Sequence, residues 1–569
     1  MFEGTRNSLL LGMSLLAGLA SAPAAWAQGP TPGQNVNMVS GTKWPGGDPF
    51  LQRQNEPSIA VSTRNPQHLL AGANDYRTVD LNLVDQLPIN QLSGDAWLGV
   101  FKSFDGGQRW QSTLLPGFPQ DRSTFGASSP MKGFGAASDP VVRAGTNGMF
   151  YYSGIALNRG TNVGALFLSR FIDLNNKENG DATQSNYPSP TTDPIRYIGT
   201  VQIDSGNAGQ FIDKPWIAVD IPRAGAGTCT IQVPQDNDTS VTQSFPAGNV
   251  YIAYAMFVGG AINVRSKINF SKSGDCGHTW TKPIMISQTY DLSQGTQVAV
   301  DPETGYVYVA WRVFSGSGND PDAMVVTKST DGGNTFTKAV SVRSLSPFNA
   351  ATPTSSASFD QNTSGTEFRT QSMPTIAVDD SGTSGTPGNV YVAWSERGVP
   401  PTGDARIMIS TSRDGTTWSA PIPVDNNPIT DDVGDQFTRG HQLMPAMTFT
   451  GGKLMLVYYD LRLDHTTGRF TPNTPFGPDN KGQFFEEGRP YLGDDPTKVF
   501  TPFVDDAGLA VRRHTIEVNV AQSNGGLTPS FTTARLSKTY KSIRFFGSAR
   551  NSRPIIHDCR WYVPSRCWP

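Results

Sequence analysis

Four stretches of this 569-residue chain repeat one short pattern, and a repeated turn dictates a repeated architecture. The copies read Ser103-Phe-Asp105-Gly-Gly107-Gln-Arg109-Trp110, Ser273-Gly-Asp275-Cys276-Gly277-His-Thr279-Trp280, Ser329-Thr-Asp331-Gly-Gly333-Asn-Thr335-Phe336 and Ser412-Arg-Asp414-Gly-Thr-Thr417-Trp418. A short Asp carboxylate can accept hydrogen bonds from the amides of its own turn, Gly supplies positive φ, and Thr and Trp lead back into a strand. Upstream of these turns a second phrase recurs: Glu56-Pro-Ser-Ile-Ala-Val61, Lys214-Pro-Trp-Ile-Ala-Val-Asp220, Gln297-Val-Ala-Val-Asp301 and Met373-Pro-Thr-Ile-Ala-Val-Asp379. These apolar runs read as buried inner strands. Each is followed by a second run, such as Val250-Tyr-Ile-Ala-Tyr254 or Val390-Tyr-Val-Ala-Trp394.

Four strands per repeat make an antiparallel meander, the unit of a β-propeller blade. Two further repeats without a good Ser-Asp turn begin at Asp139-Pro-Val-Val142 and Met444-Pro-Ala-Met447. The expectation is therefore an all-β, six-bladed propeller with blades near 52–118, 137–182, 211–289, 294–345, 370–426 and 440–536, seven blades being the alternative. Asn35–Ser40 is expected to add a strand to the last blade, residues 183–210 to form a loop, and the aromatic and charged segment 463–512 to form a lid interrupting the last blade.

The turn resembles the Asp box of the sialidase superfamily, Ser-x-Asp-x-Gly-x-Thr-Trp, and only the copy at 273–280 fits it completely. The resemblance implies a sialidase-like propeller of the secreted, exo-sialidase or glycoside-hydrolase-like kind, with the boxes away from the active face. Family enzymes clamp a sialic-acid carboxylate with three arginines and use a Tyr–Glu nucleophile pair and an Asp acid/base. Their Arg-Ile-Pro signature has no counterpart here, the comparable place reading Gln54-Asn55-Glu56-Pro57, so no catalytic residue carries over by motif.

Composition agrees with a turn-rich β protein: 59 Gly, 42 Pro and 16% charged residues. A net charge of −3 favours neither nucleic acid nor a polybasic membrane anchor. Arg6, the apolar run Leu9–Leu19 and Ala25-Trp26-Ala27 read as a signal peptide over residues 1–27, so the product is expected to be secreted or periplasmic. Residues 28–537 would form the propeller, as a monomer, and 538–569 a basic tail. No cofactor or metal spacing is present, and the sequence leaves bound calcium open. Cys229, Cys276, Cys559 and Cys567 could form two bridges; Cys559 and Cys567 are the easy pair, and Cys276 reads as filling a variable turn position.

Candidate chemistry lies just after second strands and just before inner ones. Aligning second strands places Asp75, Glu396 and Asp460 alike, each followed closely by an arginine, Arg77, Arg397 or Arg462, with Arg312 in the fourth blade and Arg159 and Arg265 further into their loops. Arginine forks suit carboxylates, so an anionic glycan bound by Arg77, Arg312, Arg397 and Arg462 is the expected ligand. Glu396, Asp460, Asp75 and Tyr459 are the candidate catalytic groups, with Tyr76 and Tyr458 nearby. The same pairs would serve equally as staples between blades. Glu56, Asp139, Asp213, Lys214, Gln371 and Gln442 form a second ring at the channel, suited either to substrate or to hydration, and His441 and His465 lie near the same face. Two functions follow: a glycoside hydrolase, or a non-catalytic propeller binding glycan or protein.

Overall fold

A computed structural model of the chain describes residues 29–39, 54–78, 95–158, 163–175, 193–207, 209–234, 239–259, 264–288, 292–314, 322–345, 372–383, 385–396, 399, 405–425, 442–460, 467–471, 483–487 and 517–537. Six four-stranded antiparallel sheets succeed one another along it, each paired in chain order. From innermost to outermost strand, blade one comprises Gln54–Val61, Leu69–Asp75, Trp97–Ser103 and Gln111–Leu114. Blade two comprises Ala136–Ala144, Met149–Asn158, Val163–Asp173 and Ile195–Ser205. Blade three comprises Gln210–Val219, Val250–Val258, Arg265–Ser273 and Ile284–Met285. Blade four comprises Leu292–Val300, Val307–Phe314, Ala323–Ser329 and Val340–Ser344. Blade five comprises Thr375–Val378, Val390–Glu396, Arg406–Ser412 and Ile422–Pro423. Blade six comprises Gln442–Thr450, Lys453–Asp460, Glu517–Ser523 and Thr532–Arg535.

The second strands of blades two to five are buried on both faces because those sheets are sandwiched between two others, which is why they read as continuous apolar runs rather than alternating ones. Buried side chains fill the seams: Leu70 and Trp97 against Phe150 and Tyr152, Tyr151 and Leu168 against Ile217 and Ile252, and Tyr251 and Phe270 against Val309 and Trp311. Tyr308 and Met324 meet Val392 and Trp394, and Tyr391 and Ile409 meet Leu456 and Tyr458. The outward face of blade one is covered differently. Met38 and Val39 pack on Ala71, Ala73, Phe101 and Trp110, while Asn35 Nδ2 donates to Leu536 O of blade six at 3.1 Å. The segment expected to donate a strand to the last blade is thus a strap between blades six and one. Blade six already has four strands of its own.

Two other expectations change. The stretch 183–210, read as a loop, contains the fourth strand of blade two, whose apolar positions Ile195, Tyr197, Ile198, Val201 and Ile203 are spread around two bulges and so lack a clean alternation. Between the first two strands of blade three a hairpin is inserted, Thr228–Pro234 paired with Ser240–Pro246, and Cys229 on it is disulfide-bonded to Cys276 in the third blade's turn. Cys276 therefore tethers the hairpin rather than filling a variable position. In the last blade a second hairpin, Thr467–Thr471 with Gln483–Glu487, lies between the second and third strands. The tail 538–569, with Cys559 and Cys567, and the segment 1–28 lie outside the described residues. Among the described residues no helix is long and apolar enough to cross a membrane.

Candidate functional site

The propeller has two chemically different poles. All four Ser-Asp turns join third to fourth strands and share one pole. In the complete copy Asp275 accepts from His278 N (3.1 Å), Thr279 N (2.9 Å) and Thr279 Oγ1 (2.6 Å), while Ser273 Oγ accepts from Gly277 N at 2.8 Å. The same bonds recur around Asp105, Asp331 and Asp414. Donors crowded on a carboxylate favour its ionised form: Asp105 is pulled down to about 2, chiefly by Arg109, and Asp331 is lowered chiefly by Thr335. Trp110 and Trp280 cap their turns by donating Nε1 to Gly107 O and Gly277 O. The residue before the turn serine reaches the next blade: Lys272 Nζ donates to Gly332 O, Lys328 Nζ to Asp414 O and Thr411 Oγ1 to Leu527 O. The Ser and Asp side chains of these turns are thus spent on the turns themselves.

At the opposite pole, where inner strands begin, the backbone repeats a different device. In blades one, two, three, four and six the inner strand bulges, carrying one extra residue against its neighbour. The first residue of each bulge is left-handed: Glu56 (φ 52°), Asp139 (60°), Lys214 (47°), Gly295 (74°) and Met444 (50°). Four of these are not glycine, and all four precede a proline, before which a residue is ordinarily extended. Such a residue costs about 1–3 kcal/mol and persists only where its surroundings over-determine it.

The bulges turn their side chains onto one another. Lys214 Nζ donates to Glu56 Oε1 at 2.7 Å and to Asp139 Oδ1 at 3.1 Å, while its backbone N donates to Asp139 Oδ2 at 3.1 Å. A lysine of blade three thus reaches a glutamate of blade one past Asp139 of blade two. Asn74 Nδ2 donates to Glu56 Oε2 (3.2 Å) and Asn74 Oδ1 accepts from Asp139 N (2.9 Å). Asp213, also hydrogen-bonded to Asp139, accepts from Gln294 Nε2 of blade four. Burial and the neighbouring Asp139 carboxylate push Asp213 up to about 8. Burial also acts to raise Asp139, but the Lys214 ammonium and the hydrogen bonds from Glu56 and Asp213 outweigh it and bring that group to about 2. Lys214 is held above its usual range by its three carboxyl neighbours despite burial. The surroundings therefore push Asp213 toward its protonated form and Asp139 toward its ionised form.

The residues expected after second strands lie elsewhere. Arg77 pairs with Asp75 at 2.6 Å, both buried. Arg312 takes Asp322 in a fork of two 2.9 Å bonds and donates to Ser372 O of the next blade. Glu396 accepts from Trp394 Nε1 (2.9 Å) and Arg343, and Asp460 from Gln442 and Asn519. Gln442 is thereby buried in its own blade instead of facing the channel. Tyr458 donates to Asp425, and the half-buried Tyr459 has its phenol raised by burial. Arg397, Arg462, Arg159, Gln371, His441 and His465 lie outside the described residues. The structure thus brings Glu56, Asp139, Asp213 and Lys214 together, and it seats Asp75, Arg77, Arg312, Glu396 and Asp460 among blade contacts. The missed members, Asn74 and Gln294, carry no sequence signal of their own. Among the described residues no group of three or more His, Cys, Asp or Glu side chains could hold a metal ion.

Six-bladed β-propellers are the class of protein that this architecture defines. No protein-family model and no curated protein matches the chain. Solved structures with a similar course include a protein of unknown function from Dyadobacter fermentans (13% identity over 72% of this chain and 90% of that one, TM-score 0.33). Others are a sialidase of Trypanosoma rangeli in complex with the inhibitor DANA (13%, 72% and 52%, 0.34) and an α-L-arabinofuranosidase of Fusarium graminearum with arabinobiose (12%, 74% and 91%, 0.36). The chain spans about half the length of the Trypanosoma sialidase. These likenesses are of fold alone.

Proposed function

We propose that this chain is a glycoside hydrolase-like propeller, exported through its N-terminal segment, whose active pole is the carboxyl-rich mouth of the channel. One observation carries the reading: Asp213, Asp139, Glu56 and Lys214 converge from neighbouring inner strands, and this environment pushes the Asp213 and Asp139 carboxyls in opposite directions. A pair of carboxyls pushed apart in this way is what acid–base cleavage of a glycosidic bond requires. Asp213 would give its proton to the leaving oxygen as the C–O bond breaks. Glu56, whose carboxyl is raised by burial and by the neighbouring Asp139, would take a proton from the water that adds to the anomeric carbon. In the free protein Asp213 is hydrogen-bonded to Asp139, so a glycosidic oxygen must compete for that proton.

The second reading, a non-catalytic glycan-binding propeller, is favoured by that same contact. Hydrolase carboxyls stand roughly 5–9.5 Å apart, whereas Asp213 and Asp139 interact directly enough to shift each other. The sialidase-like version of the proposal needs arginines free to clamp an anion. With Arg77 and Arg312 committed to carboxylates, it rests on Arg397 and Arg462. Screening the mature protein against aryl glycosides, sialosides included, tests the hydrolase reading: turnover that Asp213→Asn reduces by a factor of about 100 or more supports it. Binding of glycan with no turnover of any glycoside would leave the second.

A further inference from the structure

The bulge positions of successive blades form a ring of equivalent sites about the axis, and their side chains are not evenly distributed. Blades one to three contribute Glu56, Asp139 and Lys214; blade four contributes Gly295. Blade five begins its inner strand after Met373-Pro374, and the Met373 thioether occupies the space over Gly295, where a Cβ would lie 2.3 Å from Sδ. Blade six contributes Met444, 39% exposed although it is apolar. The ring is split into a charged arc with lone pairs and N–H donors and an arc of thioethers. The Glu56 and Lys214 side chains remain 43% and 33% exposed, within reach of a ligand.

Resting on the glycan reading above, we propose that this split ring selects an uncharged sugar, whose hydroxyls bond to Glu56, Asp139 and Lys214 while an apolar C–H face lies on Met444 and Met373. Carboxylates and an ammonium accept from and donate to hydroxyls with charge-assisted strength, and Met is the residue best able to conform to an irregular apolar face. Lys214 is already matched by two carboxylates, so the described cluster offers no surplus positive charge to an anionic sugar. Anionic ligands would meet repulsion at the arc that neutral ones use.

The test exposes the mature chain to an array of neutral, sialylated and uronic-acid-containing oligosaccharides, then repeats it with Met444→Lys and the milder Met444→Gln, each checked for an unchanged circular dichroism melt. Neutral probes should bind at least tenfold more tightly than the charged ones, and Met444→Lys should erase most of that ratio. Preference for sialylated or uronic probes would overturn the inference and leave the glycan reading standing. Retention of nothing on the array would overturn both. If either Met444 variant folds normally with the neutral-to-charged ratio unmoved, the thioether arc is not part of the selection and the inference fails.

Discussion

The two poles use the same residue types to opposite ends. At the Ser-Asp pole each carboxylate sits inside a turn of its own making, satisfied by amides, a serine and a threonine or, at Asp105, an arginine within five residues of sequence, and held below the usual carboxylate range. At the channel pole Asp139 and Asp213 are satisfied only by groups from other blades, and Asp213 is held far above that range. Local satisfaction makes a rigid corner that works wherever it is placed. Satisfaction between blades leaves a site that depends on blades one to four being assembled together.

The largest effect should come from untying the structural pole. Replacing Cys229 and Cys276 together by Ser opens a 47-residue loop closure and should lower stability by about 4 kcal/mol, read as a fall in the denaturant midpoint. Trp280→Ala, truncating a half-buried aromatic that also donates to Gly277 O, should cost about 2–3 kcal/mol and leave glycan binding of the folded fraction unaltered. Trp418→Ala should cost less. The fourth turn is one residue short and its indole N–H has no partner among the described residues. Equal losses at Trp280 and Trp418 would show that the indole hydrogen bond contributes nothing. At the channel pole, Lys214→Met leaves Glu56 and Asp139 uncompensated and should cost about 1–2 kcal/mol at pH 7, a figure reduced from that of a fully buried pair because a third of the lysine is exposed, and less at pH 4. A loss independent of pH would mean that the pair acts by packing alone.

Asp105 at the turn pole and Asp213 at the channel pole give pH dependences of opposite sign. Depressed turn carboxylates such as Asp105 contribute stability that is present above the unfolded value near 4 and is lost as pH falls toward 2. Asp213, raised to about 8, keeps a proton that the unfolded chain has already released, so its contribution falls as pH rises from about 4 to 8. Asp213→Asn should flatten that neutral-range decline and leave the acid limb unchanged.

How much of this was legible follows from what each residue can say alone. The blades were readable because inner and second strands are apolar runs between turn residues, and the Ser-Asp turns because their bonds are local. The x-Pro phrase was visible at Glu56, Asp139, Lys214, Met373 and Met444. Its left-handed bulge was not, since a residue before proline ordinarily extends. Asp75 with Arg77 and Arg312 with Asp322 combine the residue types of a ligand clamp with the burial of a staple, and only coordinates separate those two. The disulfide joins residues that meet only once the hairpin folds back over the third blade.

The most direct test of the contrast between the poles is the protonation state of Asp213 itself. Infrared difference spectra of wild type against Asp213→Asn, recorded as the pH is stepped from 5 to 10, should show a protonated carboxyl band at neutral pH that disappears around pH 8. Absence of that band at pH 6, with Asp213 titrating near 4 like an ordinary carboxylate, would contradict the account.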